Sequence, residues 1–253
     1  MGIPKTCHVI WIQGYDKLPE KNKQNYLNVQ ELNPEWTFIF WDDEKIINFL
    51  QNVNPAILDS YKNSDKYKGD INQLATKSDI ARYMILQEFG GLYFDMDFIC
   101  SAPFNIFNES DGTLYMGSSI IDFLNYIYPF PAPKYCSCFM ASEPRHPVWE
   151  TVVKKILNAT DKKTIGEALD RSLQENENKY PKGIERYKVK LLDKELGGPY
   201  SCSCEGSICY TPTESSWNFW RPVLKFINCN FFLIIILVLV ITPLLFYFLF
   251  FNH

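Results

Sequence analysis

Apolar residues in the first part of the chain gather in short runs between polar stretches. Cys7-His8-Val9-Ile10-Trp11-Ile12 is rich in β-branched and aromatic residues and stops at Gly14, which predicts an opening buried strand. A polar, helix-like stretch from Lys21 to Leu32 follows. Asn33-Pro34 then turns the chain into a second strand-like run, Trp36-Thr37-Phe38-Ile39-Phe40-Trp41, closed by Asp42-Asp43. Residues 76–89, TKSDIARYMILQEF, are strong helix formers with Ser78 and Asp79 near the start and the stop signal Gly90-Gly91 at the end. From Leu92 to Ile99 the pattern predicts a strand whose period of two turns Tyr93, Asp95 and Asp97 to one side. Strands alternating with helices in this order predict an α/β sheet. The lysine- and glutamate-rich region 158–187 is expected to be a solvated helical excursion.

One stretch breaks this alternation. Residues 231–251 are 21 consecutive positions without a charge, and a helix of that length reaches ~31 Å, the thickness of a hydrocarbon core. The expected organisation is a folded domain over 1–225 and a transmembrane anchor over 226–251. The opening residues lack the basic start and long apolar core of a signal peptide. Arg221 and Lys225 precede the apolar stretch and only Asn252 and His253 follow it, so the positive-inside rule puts the bulk of the chain in the cytosol, with the ER or Golgi lumen as the alternative.

Composition narrows the classes. At 47% hydrophobic and 16% aromatic the chain can build a core. A net charge of −4 lacks the electrostatic footprint of a nucleic-acid binder, so an anionic ligand must be held locally, by a metal or a few placed cations. Eight cysteines include the close pairs Cys136/Cys138 and Cys202/Cys204 with Cys209 nearby. C-x-C is not the C-x₂-C spacing of a zinc site, and free thiols are the simpler reading, with disulfides if the domain is lumenal. Only three histidines are present, one of them in the tail, which argues against a histidine-based hydrolase.

Asp95 and Asp97 in an otherwise apolar segment need a compensator, because burying paired like charges is costly without a cation or hydrogen bonds. A divalent metal is the simplest one, since Mg²⁺ and Mn²⁺ bind through one or two carboxylates plus substrate phosphates. Asp79 and Arg82 lie three apart and share a helix face. Each residue also has a plainer role: the aspartates as a solvated strand end, Asp79 as a helix cap, Trp11 as core, and Trp217 and Trp220 as membrane-interface residues.

Taken together, Ser78-Asp79-Ile80-Ala81-Arg82-Tyr83 and Phe89-Gly90-Gly91-Leu92-Tyr93-Phe94-Asp95-Met96-Asp97 resemble the signature of the D-x-D sugar-transferase family. That family holds fungal α-1,6-mannosyltransferases, inositolphosphorylceramide mannosyltransferases and capsular-polysaccharide enzymes, and its core is similar to that of the large glucosylating toxins. The resemblance extends to Ile3-Pro4-Lys5 with His8 to Ile12, Asn33-Pro34-Glu35-Trp36, Trp41-Asp42, Phe139-Met140-Ala141-Ser142, His146-Pro147 and Ser216-Trp217. It implies a GT-A, Rossmann-like nucleotide-sugar-binding fold and a retaining, Mn²⁺- or Mg²⁺-dependent hexosyltransferase using a UDP- or GDP-sugar. By that resemblance Trp11 stacks on the base with Ile10 beside it, Asp79 and Arg82 hold sugar hydroxyls and diphosphate, and Tyr93 supports the nucleotide. Asp95 contacts ribose and a metal-bound water, Asp97 ligates the metal, Glu214 and Ser216 complete its shell, and Trp217 reaches the phosphate–glycosidic oxygen.

Two positions depart from the family pattern: Ser137-Cys138 stands where relatives commonly carry Asn, and Thr211-Pro212-Thr213-Glu214 where many carry a His. Trp217 precedes residue 226 by nine positions, at most ~32 Å of extended chain, so the expected acceptor is membrane-proximal: a glycolipid, a lipid-linked saccharide or a glycoprotein glycan. The alternatives are a membrane-tethered protein that binds nucleotide sugar without turnover, and a D-x-D phosphohydrolase with Asp95 as nucleophile and Asp97 as acid.

Overall fold

The computed structural model describes residues 2–105, 107, 112–118, 135–179, 188–192, 196–197, 209–210 and 240. β1 (Thr6–Ile10) leads through α1 (Glu20–Leu32) to β2 (Thr37–Trp41). α2 (Asp43–Val53) and α3 (Pro55–Lys62) follow, started by the side chains of Asp42 and Asn54, which accept from Lys45 N–H at 2.9 Å and Ile57 N–H at 3.2 Å. α4 (Gln73–Phe89) begins at Asn72, whose side chain accepts from Leu74 N–H at 2.8 Å, and ends at Gly90. β3 (Gly91–Phe94), β4 (Ile99–Cys100), β5 (Thr113–Ser118) and β6 (Tyr135–Ser142) come next. α5 (Val148–Leu157), α6 (Lys162–Gly166), α7 (Ala168–Lys179), β7 (Lys188–Leu191), β8 (Leu196–Gly197) and β9 (Cys209–Tyr210) complete the described elements.

Among the described residues, one mixed sheet runs β2-β1-β3-β6-β5-β7 and a smaller one runs β4-β9-β8. β1 pairs in parallel with both β2 and β3, whereas β6 is antiparallel to β3 and to β5. The predicted α/β class is therefore present, with a parallel half built by the first crossovers. Alternation along the strands splits the core. Cys7, Val9, Leu92 and Phe94 face α1 with Tyr26 and Val29, while Ile10 and Tyr93 face α4 with Ile80, Tyr83 and Met84.

Both glycines that stop α4 are structural necessities. Gly90 and Gly91 have φ of 62° and 86°, and a Cβ on them would lie 2.5 Å from Pro144 N and 2.3 Å from Thr6 O. The close approach of Gly91 to Thr6 lets β3 lie against β1. The strand they launch is shorter than its sequence predicts. It ends at Phe94, and Asp95 to Phe98 form a turn closed by a 3.1 Å bond from Phe98 N–H to the Asp95 carbonyl. The last ladder bond to β6 is Asp95 N–H to the Cys138 carbonyl at 2.9 Å; on the other edge of β6, its residues 137–139 fall out of register with β5. Within the region 158–187, the described residues 158–179 are less solvated than expected. In α7, Leu169, Ser172 and Leu173 are buried, and α6 packs against α4.

His8 staples this arrangement. Its Nε2 bonds the Gly90 carbonyl at 3.0 Å and its Nδ1 accepts from the Trp41 indole at 3.1 Å, which fixes a neutral ring with the proton on Nε2. Burial, opposed by the Gly90 bond, lowers its pKa from 6.5 to about 4. Because the folded value is the lower one, unfolding takes up a proton between these limits. The contribution is complete above about pH 6.5 and is lost as pH falls through about 4. Urea unfolding of the wild-type protein is expected to give a free energy lower by about 2 kcal/mol at pH 5 than at pH 8 from this residue. His8→Gln, which keeps polar atoms but does not titrate, is expected to flatten that slope, and an unchanged slope would assign it elsewhere.

No helix among the described residues is long and apolar enough to cross a membrane. The expected anchor over 226–251 lies outside the described residues, apart from Val240.

Candidate active site

A cleft of about 540 Å³ opens where the parallel half of the sheet changes direction, beyond the C-terminal ends of β1 and β3. Chain order reverses there, because β1 continues to β2 on one side while β2 crosses back to β3 on the other. The helix-start amides and strand ends leave such a crevice open to ligands. Ile10, Trp11 and Ile12 line it from β1, Ser78 and Arg82 from α4, and Tyr93, Asp95 and Asp97 from the end of β3. Trp11 is half-buried and its Nε1 is buried without a hydrogen-bond partner, so it offers the cleft ring surface.

Arg82 is the hub. Its Nη2 lies 3.2 Å from Asp79 Oδ1 and its Nη1 3.3 Å from Asp95 Oδ1. Nε donates to the Ser78 carbonyl at 3.3 Å, and Nη1 donates to the Ser137 carbonyl at 3.0 Å. The guanidinium also lies 4.9 Å from the centre of the Tyr93 ring. Burial disfavours its charge, but Asp95, Tyr93 and Asp79 more than offset this and raise its pKa, so the guanidinium stays a cation. The Tyr93 phenol, pushed well above its ordinary value chiefly by burial, stays protonated and donates to Asp95 Oδ1 at 2.5 Å.

Asp79 does not cap α4, since Asn72 does. It sits inside the helix with its side chain 15% exposed, and burial pushes its pKa up to about 6, with Arg82 opposing and Asp95 adding. Gly166 at the end of α6 leaves room for it: a Cβ there would lie 3.2 Å from Asp79 Oδ2. Tyr83 pins that end by donating to the Gly166 carbonyl at 2.9 Å.

The donor set suits a hard cation. Asp95 and Asp97 both reach the cleft, and one oxygen of Asp95 is already committed to Tyr93 and Arg82. No group of three or more His, Cys, Asp or Glu able to hold a metal occurs among the described residues. A Mg²⁺ or Mn²⁺ ion there would need oxygens from ligand phosphates or water as well. Glu214, Ser216 and Trp217 lie outside the described residues.

The structure thus brings Ile10, Trp11, Asp79, Arg82, Tyr93, Asp95 and Asp97 together. It adds Lys21, Asn22 and Asn25 of α1 and Asn72 before α4, which the sequence reading did not single out, and it gives Ser137, noted there only as a departure from the family pattern, a contact to Arg82. For α1 the signal was available, since a helix following the first strand of such a sheet starts at the ligand edge. The departure at Ser137 marked the position, but its contact to Arg82, 55 residues away in sequence, is set by tertiary packing. Cys136 and Cys138, which flank it, are joined in a disulfide, Cys100 is joined to Cys209, and Cys7 is a buried thiol.

Residues 19–113 match the model of the family described as glycosyltransferase sugar-binding region containing DXD motif. An uncharacterized glycosyltransferase of Acanthamoeba polyphaga mimivirus is 30% identical over 238 residues, covering 88% of this chain and 86% of that protein. Inositol phosphoceramide mannosyltransferase 1 of Schizosaccharomyces pombe is 28% identical over 149 residues, 57% of this chain and 40% of the yeast enzyme's length. Among solved structures, the PaToxG glycosyltransferase superposes with a TM-score of 0.47 at 16% identity, covering 70% of this chain and 72% of its own.

Proposed function

Since the chain belongs to the glycosyltransferases whose sugar-binding region contains the DXD motif, we propose that it is a metal-dependent, retaining transferase of the GT-A type. It moves a hexose from a UDP- or GDP-sugar to a membrane-proximal glycan or lipid headgroup. The observation that carries this reading is the convergence of Trp11, Arg82, Asp95 and Asp97 on one cleft at the switch point of the sheet.

The base stacks on Trp11 beside Ile10, and the diphosphate lies toward Arg82 and the acidic turn. Asp79 and Arg82 orient the donor sugar, and Tyr93 keeps Asp95 in place through its 2.5 Å bond. A bound Mn²⁺ or Mg²⁺, held by Asp97 and more loosely by Asp95, would neutralise the departing diphosphate. Negative charge on that leaving group grows as the C–O bond breaks, so the fixed Arg82 cation favours the transition state over the ground state. Asp95 and Asp97 are the carboxylates lining the cleft among the described residues, and both are engaged with the phosphate end in this reading. That supports front-face attack by the acceptor hydroxyl over a covalent sugar–enzyme intermediate.

Glu214, Ser216 and Trp217 complete the site in this reading. β9 supports it, because Tyr210 pairs with Ile99, two residues after Asp97, and the Cys100–Cys209 disulfide ties the strands together. Glu214 follows four residues later, within about 14 Å of extended chain. The yeast relative is named for mannosylating inositol phosphoceramide, and an acceptor of that kind suits a domain 1–225 tethered by a span over 226–251. Of the two orientations the sequence leaves open, the disulfides favour the lumenal one, since they persist in oxidising compartments.

The test is a donor-hydrolysis screen with UDP-glucose, UDP-galactose, UDP-N-acetylglucosamine and GDP-mannose in Mn²⁺. Slow hydrolysis of one donor, accelerated by a glycolipid acceptor, is expected. Nucleotide binding with no turnover of any donor would instead make the chain a binding protein, and phosphate release from simple monoesters would make it a phosphohydrolase.

A further inference from the structure

The turn that carries the two carboxylates is held from outside by a residue of α1. Asp95 takes the last ladder bond, to the Cys138 carbonyl, and the turn from Asp95 to Phe98 closes through the bond from Phe98 N–H to the Asp95 carbonyl; β3 has ended by then, so the ladder does not extend to Met96 and Asp97. Met96 lies between the carboxylates, and its carbonyl accepts a hydrogen bond from Asn22 Nδ2 at 3.1 Å. Asn22 is itself placed by packing: it shares a face of α1 with Tyr26 and Val29, four and seven residues on, and both are buried in the core beneath. Asn28, farther along α1, makes a similar bond to the Cys100 carbonyl at 2.8 Å, but on β4 rather than on the turn.

We propose that Asn22 is a positioning residue for the acidic turn: by holding the Met96 carbonyl it sets how Asp95 and Asp97 are presented to a divalent cation. The inference rests on the metal-dependent reading above. The physical ground is that metal affinity depends on how well the ligands are preorganised, and outer hydrogen-bond partners of a metal site are typically worth 10–100-fold in affinity. A neutral side chain-to-carbonyl bond contributes only about 1 kcal/mol to folding. Loss of Asn22 should therefore be felt more in cation binding than in stability.

The experiment compares the full chain with Asn22→Leu and Asn28→Leu, titrating Mn²⁺ with and without UDP or GDP by the electron paramagnetic resonance signal of the free ion. Asn22→Leu is expected to weaken Mn²⁺ binding about tenfold or more, and to raise the Mn²⁺ concentration needed for half-maximal donor hydrolysis while kcat recovers at saturating metal. Asn28→Leu, with a similar small loss of stability, is expected to bind Mn²⁺ like the wild type. Equal Mn²⁺ affinities in all three proteins, or equal weakening in both variants, overturn the positioning role alone. A wild-type chain that takes up no Mn²⁺ overturns the metal reading and the inference with it.

Discussion

Replacing Asp97 by asparagine is expected to lower donor hydrolysis and transfer at saturating Mn²⁺ by roughly 10³-fold, while the thermal unfolding midpoint stays within about 2 °C of the wild type. The two halves of this expectation have different origins. Asp97 sits in a half-exposed turn beyond the end of β3 rather than in the core, and charge interactions in such a turn are worth little to stability. Exchanging a carboxylate for an amide there also removes a like charge from a turn in which only Met96 separates it from Asp95. In the proposed reaction, however, Asp97 is the direct ligand of the ion that takes up the leaving-group charge, and an amide is a poor substitute. Initial rates and a melting curve on the same preparation check both halves. Activity retained within tenfold would remove the acidic turn from the mechanism.

Arg82→Lys is the second large effect. A lysine keeps the charge but has one compact ammonium group where the guanidinium makes a planar set of contacts to Asp79, Asp95, the Ser78 and Ser137 carbonyls and the Tyr93 face. The variant is expected to lose roughly 10²- to 10³-fold in kcat, with a smaller change in donor KM, because the fixed cation acts most on charge that develops late. Arg82→Met goes further, since it leaves Asp79 and Asp95 beside a cavity with no cation. Breaking a buried ion pair in this way costs about 3–5 kcal/mol, so this variant is expected to melt well below the wild type. A kcat for Arg82→Lys near that of the wild type would show that any cation at the site suffices.

Much of the architecture was legible because it depends on local chemistry. The runs at 7–12 and 36–41 became β1 and β2, and the helix after residue 72 ended at Gly90 as its stop signal indicates. Tyr93 and Asp95 do lie on one side, as their bond to each other requires. The period of two failed beyond Phe94, where the chain leaves its ladder with β6 and Asp95 to Phe98 turn on a local backbone bond instead. Region 158–187 reads as solvated from its charges, yet α6 places Gly166 against Asp79. A charged helix with a few apolar positions on one side buries that side when a neighbour is available.

By itself, then, the amino-acid order determined the α/β class, the double-glycine break and the residue types available for sugar-nucleotide chemistry, because turn-forming residues, periodicity and a short motif act over a few neighbouring positions. Only the folded chain decided that Trp11, Arg82 and the acidic turn share a cleft, that Ser137 steadies Arg82, and that Asn22 grips Met96. The last two contacts join residues 55 and 74 positions apart, and no local preference specifies them. They arise when the crossovers set β1 beside β3 and α1 closes over their ends.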